Sequence, residues 1–378
     1  MKIPIFKLEF DDEFIASFKD KAEEILISNR PLAENKYVAE FEDKFASLIG
    51  AKYAVAVTNG TVAIELALKV LDVKNKVVLI PSNTFFATSV AVTNAHGKIG
   101  LVDAEDENFA LSPDDLEKKI RQFQADGETI GAVVIVHVGG IISKHIRRIK
   151  NICDTYNIPL VEDAAHAQCS EYDGLKAGTI GIIGCFSFFP TKVMTSGEGG
   201  MITVNDEEIA DKIKSLKNFG RDNNDPNICV NPDGNNYKVT ELTGLLGSME
   251  CDRVHKRIEK RNDLVKIYKK RLKDSTYIPV LQNGGLCSYY KMILKTQIDR
   301  DWLKDYCKEH GISLTGEVYR IPIHKQPLYI DEFKSITLPV TDEISANHIC
   351  PPLYPELSPE EINYICDILI RAEKEYEK

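Results

Sequence analysis

The sequence predicts an α/β protein: a large, mainly parallel sheet covered by helices, followed by a smaller C-terminal α+β unit. Three observations carry that reading. Short, nearly continuous apolar runs alternate with helical stretches between Tyr53 and Val204, as strands buried on both faces require. The alternation stops after about residue 206, and helices then mix with isolated short strands. At Thr58-Asn59-Gly60-Thr61 an apolar strand passes through a small polar turn straight into a helix.

Taken in order, residues 1–30 read as an extended arm and a helix over Asp12–Ser28, with apolar Phe14, Ile15, Phe18, Ala22, Ile25 and Leu26 at helical spacing and Pro31 as the stop. A second helix, Val38–Ile49, ends at Gly50. Strands follow at Tyr53–Val57, Val77–Ile80, Ile99–Val102, Ala132–Val136, Leu160–Val161, Gly184–Phe188 and Met201–Val204. Helices are expected over Val62–Leu71, Ala87–Ala95, Pro113–Gln124 and Ile146–Tyr156. The stretch Asp222–Asn236, rich in Asn, Asp and Pro, reads as a long loop. One long helix is expected from Val239 to Leu272, then a strand at Tyr289–Thr296 and helices at Arg300–His310 and Pro359–Lys374. The expected units are 1–30, an arm and helix packed on the small domain; 31–250, the large domain; and 251–378, the small domain.

Composition narrows the function. With 57 acidic against 47 basic residues the chain carries a formal charge of −10, which disfavours nucleic acid as a partner. No apolar run reaches the roughly 18–20 residues of a membrane span, and the start has no signal-peptide pattern. The nine cysteines form no C-x-x-C pair and read as reduced thiols of a cytoplasmic protein. The eight histidines form no zinc-type cluster, so no metal is expected.

Three segments carry chemistry. The Thr58–Thr61 turn offers free backbone N–H groups and the positive end of a helix dipole to an anion; Asn59 or Thr61 acting simply as a helix cap is the plainer alternative. At Glu162-Asp163-Ala164-Ala165-His166 a strand ends in a carboxylate where open sheets place their ligands, so Asp163 can hold a cationic ring nitrogen or merely cap a turn, and His166 can be structural. In Gly184–Gly200 an apolar strand delivers Lys192 into a Gly/Ser/Thr-rich loop, five residues after Ser187. A lysine against apolar walls has a lowered pKa and can condense with an aldehyde; an exposed loop lysine is the alternative. Together the anion site, the strand-end acid and the loop lysine are the parts that pyridoxal 5′-phosphate (PLP) needs.

These segments resemble the DegT/DnrJ/EryC1/StrS family of sugar aminotransferases, from about Phe41 to Leu369. The matching landmarks are Thr58–Thr61, Pro81–Thr88, Val136-His137, Glu162–Ala167, Phe186–Gly200, Asn236-Tyr237-Lys238 and Tyr319…Pro322-Ile323-His324. The resemblance implies fold type I, with a seven-stranded type of sheet, and PLP as cofactor. By the same resemblance Lys192 is the Schiff-base lysine and proton shuttle. Asp163 pairs with the ring nitrogen, Phe85 stacks on the ring, and His166 lies beside it. Gly60, Thr61 and Ser187 hold the phosphate, and Asn236 reaches the phosphate of the neighbouring subunit in a homodimer. Lys238, Tyr319 and His324 are the implied substrate contacts.

The activity this implies is transfer of the amino group of L-glutamate to a keto sugar, nucleotide-linked, for surface polysaccharide or glycoconjugate synthesis. A small phosphorylated ketone or a cyclitol ketone is the alternative acceptor. Two departures from the family pattern keep it open: Lys238 stands where many members have Arg, and Val138-Gly139-Gly140-Ile141-Ile142 where many have Tyr-Gly-Gln. PLP-dependent sugar dehydration would replace the Schiff-base lysine by histidine, and Lys192 argues against it.

Overall fold

The computed structural model describes residues 2–376. Two helices lead in, α1 (Asp12–Ile27) and α2 (Lys36–Ile49). The alternating section follows as β1 (Tyr53–Val57), α3 (Gly60–Val70), β2 (Val77–Pro81), α4 (Phe86–Asn94), β3 (Lys98–Val102), α5 (Pro113–Ala125), β4 (Ile130–Val136), α6 (Ile146–Thr155) and β5 (Leu160–Asp163). A small hairpin, β6 (Glu171–Tyr172) and β7 (Leu175–Lys176), precedes β8 (Ile183–Ser187), β9 (Gly200–Val204) and α7 (Glu207–Lys217). The rest comprises α8 (Glu241–Cys251), α9 (Val254–Arg271), β10 (Ile278–Val280), β11 (Ile293–Lys295), α10 (Arg300–Glu309), α11 (Pro339–Ala346), β12 (His348–Ile349) and α12 (Pro359–Tyr376).

The large sheet has seven strands in the order β1-β9-β8-β5-β4-β2-β3. Strands β8, β5, β4, β2 and β3 run parallel, and β9 runs antiparallel to both β8 and β1. The reversal has a plain cause: β8 returns to β9 through the loop 188–199, which has no crossover helix to carry a parallel return. One face of the sheet packs on α2, α5 and α6 through Phe41, Phe45, Leu116 and Ile149. The other packs on α3, α4 and α7 through Leu66, Val92 and Ile213. A separate apolar cluster joins α9, α10 and α12 to the antiparallel sheet β10-β11-β12. No helix among the described residues is long and apolar enough to cross a membrane.

Three expectations change. The long helix over 239–272 breaks at Asp252-Arg253 into α8 and α9. Beside the break, Arg253 and Arg257 both reach the buried Glu250 carboxylate, each at 3.3 Å. The arm and the first helix part company. Ile3 pairs with Ile312 in the C-terminal unit, but Phe14 and Ile25 of α1 pack on Leu245 and Met249 of α8, whose outer face needs an apolar cover. The strand expected at Tyr289–Thr296 is only Ile293–Lys295, and Tyr290 and Lys291 before it face a cavity.

Candidate active site

The C-terminal ends of the parallel strands, the N-terminus of α3 and a wall from the C-terminal unit enclose a cavity of about 380 Å³. Open α/β sheets bind ligands at this edge. The cavity brings together Gly60, Thr61, Phe85, Asp163, His166, Ser187, Lys192 and Tyr319, eight residues singled out from the sequence.

Alternation along β8 decides what the last strand residues do. Phe186 and Phe188 are fully buried and pack edge-on against Phe45 and Phe41, at 4.9 Å each. Ser187, between them, turns to the cavity. The loop beyond is pinned at Phe188, whose N–H donates to Gly199 O and whose carbonyl accepts from Ser196 N and the Thr195 hydroxyl. Lys192 sits on this short span, with its Nζ 4.7 Å from the centroid of the Tyr290 ring. Burial lowers the lysine pKa and the nearby Lys291 lowers it further; Tyr290 and Asp163 oppose them without cancelling the shift. A larger neutral fraction of Lys192 near pH 7 suits a nucleophile and a base.

Asp163 ends β5. Its Oδ2 accepts from the Thr88 hydroxyl at 2.9 Å and its Oδ1 from Ala165 N at 3.2 Å. Burial pushes its pKa up, against the pull of those two donors and of Lys192. Glu162 faces the opposite way and is structural. It accepts from Gly178, Ile180 and Gly181 N–H at 2.7–2.8 Å and lies 2.9 Å from His137 Nε2.

At the other end of the cavity, Asn59 Oδ1 caps α3 by accepting from Val62 N. The cap reading of Asn59 is therefore correct, and it leaves the N–H groups of Gly60 and Thr61 as the ones a helix start does not satisfy itself. Gly60 lies so close to β8 that a Cβ there would meet Ser187 Cβ at 2.8 Å. An anion held here would meet two backbone donors, a hydroxyl and the helix dipole.

The far wall was only partly legible. Tyr290 stacks on the His166 ring at 4.2 Å and shares a hydrogen bond of 2.9 Å with the Thr191 hydroxyl. Burial alone would raise its pKa, but Lys192 and Lys291 outweigh that and lower it. Gly139 N–H donates to His166 Nδ1, which puts the ring proton on Nε2, 3.4 Å from the Tyr319 hydroxyl. Burial, with Lys192 and Lys291, holds the His166 pKa well below the usual range, so its imidazole is neutral. Tyr319 is set by its N–H bond to Asn83 Oδ1. The altered segment 138–142 thus supports His166 from behind. A Cβ at Gly140, where φ is +90°, would meet Ser288 Oγ at 2.1 Å.

Three expected residues lie outside this wall. His324 is taken up by Ser82 Oγ at 2.7 Å and Asp342 at 2.9 Å, so both ring nitrogens serve the fold rather than the cavity. Lys238 reaches Asn218 Oδ1 and lies 4.1 Å from the Phe219 ring centroid. Asn236 is exposed on the same loop. Tyr290 and Lys291 line the cavity without having been singled out; Thr191 and Glu198 come with the Lys192 segment, and Glu317 with the segment Glu317-Val318-Tyr319-Arg320, whose sequence points to an altered acceptor pocket.

The donor set fits PLP. A buried carboxyl with a raised pKa gains from a protonated ring nitrogen, the α3 start and Ser187 suit a phosphate, and a lysine of lowered pKa suits an aldehyde. The comparisons with known proteins agree. Residues 13–370 match the DegT/DnrJ/EryC1/StrS aminotransferase family. The chain is 29% identical over 379 residues to a GDP-perosamine synthase of Vibrio cholerae, covering 97% of this chain and 98% of that one. It is 28% identical to a UDP-4-amino-4,6-dideoxy-N-acetyl-beta-L-altrosamine transaminase of Campylobacter jejuni, covering 89% and 90%. Among solved structures, Helicobacter pylori PseC, an aminotransferase of pseudoaminic acid biosynthesis, superposes with a TM-score of 0.88 at 20% identity over 99% of this chain and 100% of that chain. Streptococcus pneumoniae Spr1654 in its PLP form also gives 0.88, at 22% identity over the whole of both chains. At such identities the structural likeness is one of fold. The family match over nearly the whole length goes further: the chain belongs to the DegT/DnrJ/EryC1/StrS aminotransferase family and is a PLP-dependent aminotransferase of fold type I.

Proposed function

We propose that this aminotransferase moves the amino group of L-glutamate to the keto group of a nucleotide-linked sugar, in the cytoplasm, for surface polysaccharide or glycoconjugate synthesis. The observation that carries the reading is Lys192: a lysine of lowered pKa held between the acid at the end of β5 and the start of α3. Relatives named for GDP- and UDP-linked amino sugars support the acceptor class.

When bound, PLP supplies an aldehyde for amine capture and an electron-poor ring that shares the electron pair left when a Cα–H bond breaks. The chain's residues do the rest. Gly60, Thr61 and Ser187 would hold the phosphate, and Asp163 would keep the ring nitrogen protonated. Phe85 would give the ring an apolar face, and His166, neutral, would lie beside it. Lys192 Nζ takes the Cα proton of the donor and later delivers a proton to the acceptor carbon. Turnover with L-glutamate and a panel of nucleotide-linked 3- and 4-keto sugars tests the acceptor. One of them should yield an amino sugar and 2-oxoglutarate in equal amounts; formation of amine only from small keto phosphates would overturn it.

The working form is a homodimer in which Asn236 reaches the neighbouring subunit's phosphate site. Half-exposed Phe86, Phe189, Phe219, Ile228 and Val230 support this, since so much large apolar surface asks for a cover. Mixing inactive Lys192→Ala subunits with weakly binding Asn236→Ala subunits should restore activity, because one site of each mixed dimer then keeps both side chains. No restoration after subunit exchange would show that Asn236 serves no partner.

A further inference from the structure

Two lysines, and no arginine, line the cavity. Lys192 has its role. Lys291 has none, and its ammonium makes no ion pair within 4 Å among the described residues, whereas the other charged group on that wall, Glu317, is paired with Lys304. Lys291 sits where it does by construction. Tyr289, just before the Tyr290-Lys291 pair, takes a positive φ of 41°, and the buried Arg261 holds its carbonyl with a bond of 3.1 Å from Nη1. That turn aims Tyr290 and Lys291 into the cavity instead of along a strand. On the opposite side Gly316 leaves room: a Cβ there would lie 2.8 Å from Lys291 Nζ. Lys291 Nζ is 5.1 Å from the Tyr290 ring centroid, and Lys192 Nζ is 4.7 Å from the same centroid. An unpaired, positioned cation beside the catalytic base calls for an anion next to the reacting carbon.

We infer that Lys291 binds the α-carboxylate of the amino donor. This rests on the aminotransferase reading with glutamate as donor. The carboxylate is bonded to Cα, so an ion pair with Lys291 places Cα beside Lys192. The pair has a second effect. The free Lys291 cation disfavours protonation of Lys192, and a bound carboxylate cancels that field, so Lys192 becomes a stronger base when substrate arrives. Lys238, packed over Phe219, lies outside this wall and does not take the role in the same subunit.

The test compares L-glutamate with 4-aminobutyrate, which is glutamate without its α-carboxylate, on PLP-loaded wild type, Lys291→Met, Lys291→Arg and Lys238→Met. Lys291→Met should lose about 10- to 100-fold in kcat/KM of the glutamate half-reaction, the usual weight of a charged hydrogen bond. It should lose far less with 4-aminobutyrate, so the preference for glutamate collapses. Lys291→Arg should recover part of the loss. Binding without turnover is read from a spectral titration with 2-methyl-L-glutamate, which has no Cα proton: its Kd should rise by the same factor in Lys291→Met. The inference is overturned if both donors fall alike, if the loss appears only in KM for the keto acceptor, or if Lys238→Met alone abolishes the preference. If wild type reacts with no amino acid at all, the donor reading itself fails, and the titration still reports whether Lys291 binds a carboxylate.

Discussion

Replacing Lys192 with alanine is expected to slow the glutamate half-reaction by about 10²–10⁴-fold, the contribution of a positioned acid–base group, and to end covalent attachment of the cofactor. The fold should be untouched. The loop around Lys192 is held by backbone bonds at Phe188 and by the Thr195 hydroxyl, none of which uses the lysine side chain. The ammonium is also disfavoured by its burial and by Lys291, so removing it costs the apoprotein no stability. Single-turnover absorbance measures the rate, and thermal unfolding of the apoprotein supplies the control. A variant with near-native turnover would remove Lys192 from the mechanism.

Asp163→Asn should cost about 10²–10³-fold in the same half-reaction, as expected when a preorganised charge is removed from a reacting centre. Asn keeps the size and the bond to Thr88 Oγ1 but cannot hold a proton on the ring nitrogen. Stability should move the opposite way. Burial raises the Asp163 pKa, so the folded apoprotein keeps a proton that the unfolded chain releases. The stability it costs grows as pH rises from the ordinary Asp range through the raised value. The Asn variant should therefore raise the apoprotein's unfolding temperature at pH 7, with the gain fading as pH falls below the ordinary Asp pKa. Exchange of the glutamate Cα hydrogen for deuterium measures the first effect and calorimetry across pH the second. A variant that loses activity and stability together would mean that the carboxylate serves the fold.

Much of this site is local in sequence, and that part was legible. Asp163 closes an apolar strand, Lys192 follows another, and Gly60 opens a helix behind a capping Asn, so each announces its place through its own neighbours. Tyr290 and Lys291 do not. They lie about a hundred residues beyond Lys192, in a run that reads as a strand. Only the turn at Tyr289, fixed by Arg261 from another helix, points them inward. His324 fails for the converse reason: it sits in a family motif, yet Ser82 and Asp342 from distant segments engage its ring. The break between α8 and α9 carries no Pro or Gly to announce it; Asp252 and Arg253 stand between the two helices. Long-range partners decide the first two.

The most direct test of the whole account is the absorbance spectrum of the purified wild-type protein with PLP, recorded before and after L-glutamate. The account predicts a cofactor band that borohydride fixes to the peptide containing Lys192, converted by glutamate to the pyridoxamine phosphate spectrum with release of 2-oxoglutarate. Cofactor fixed elsewhere than Lys192, or a Lys192-bound band that no amino acid converts, would contradict it.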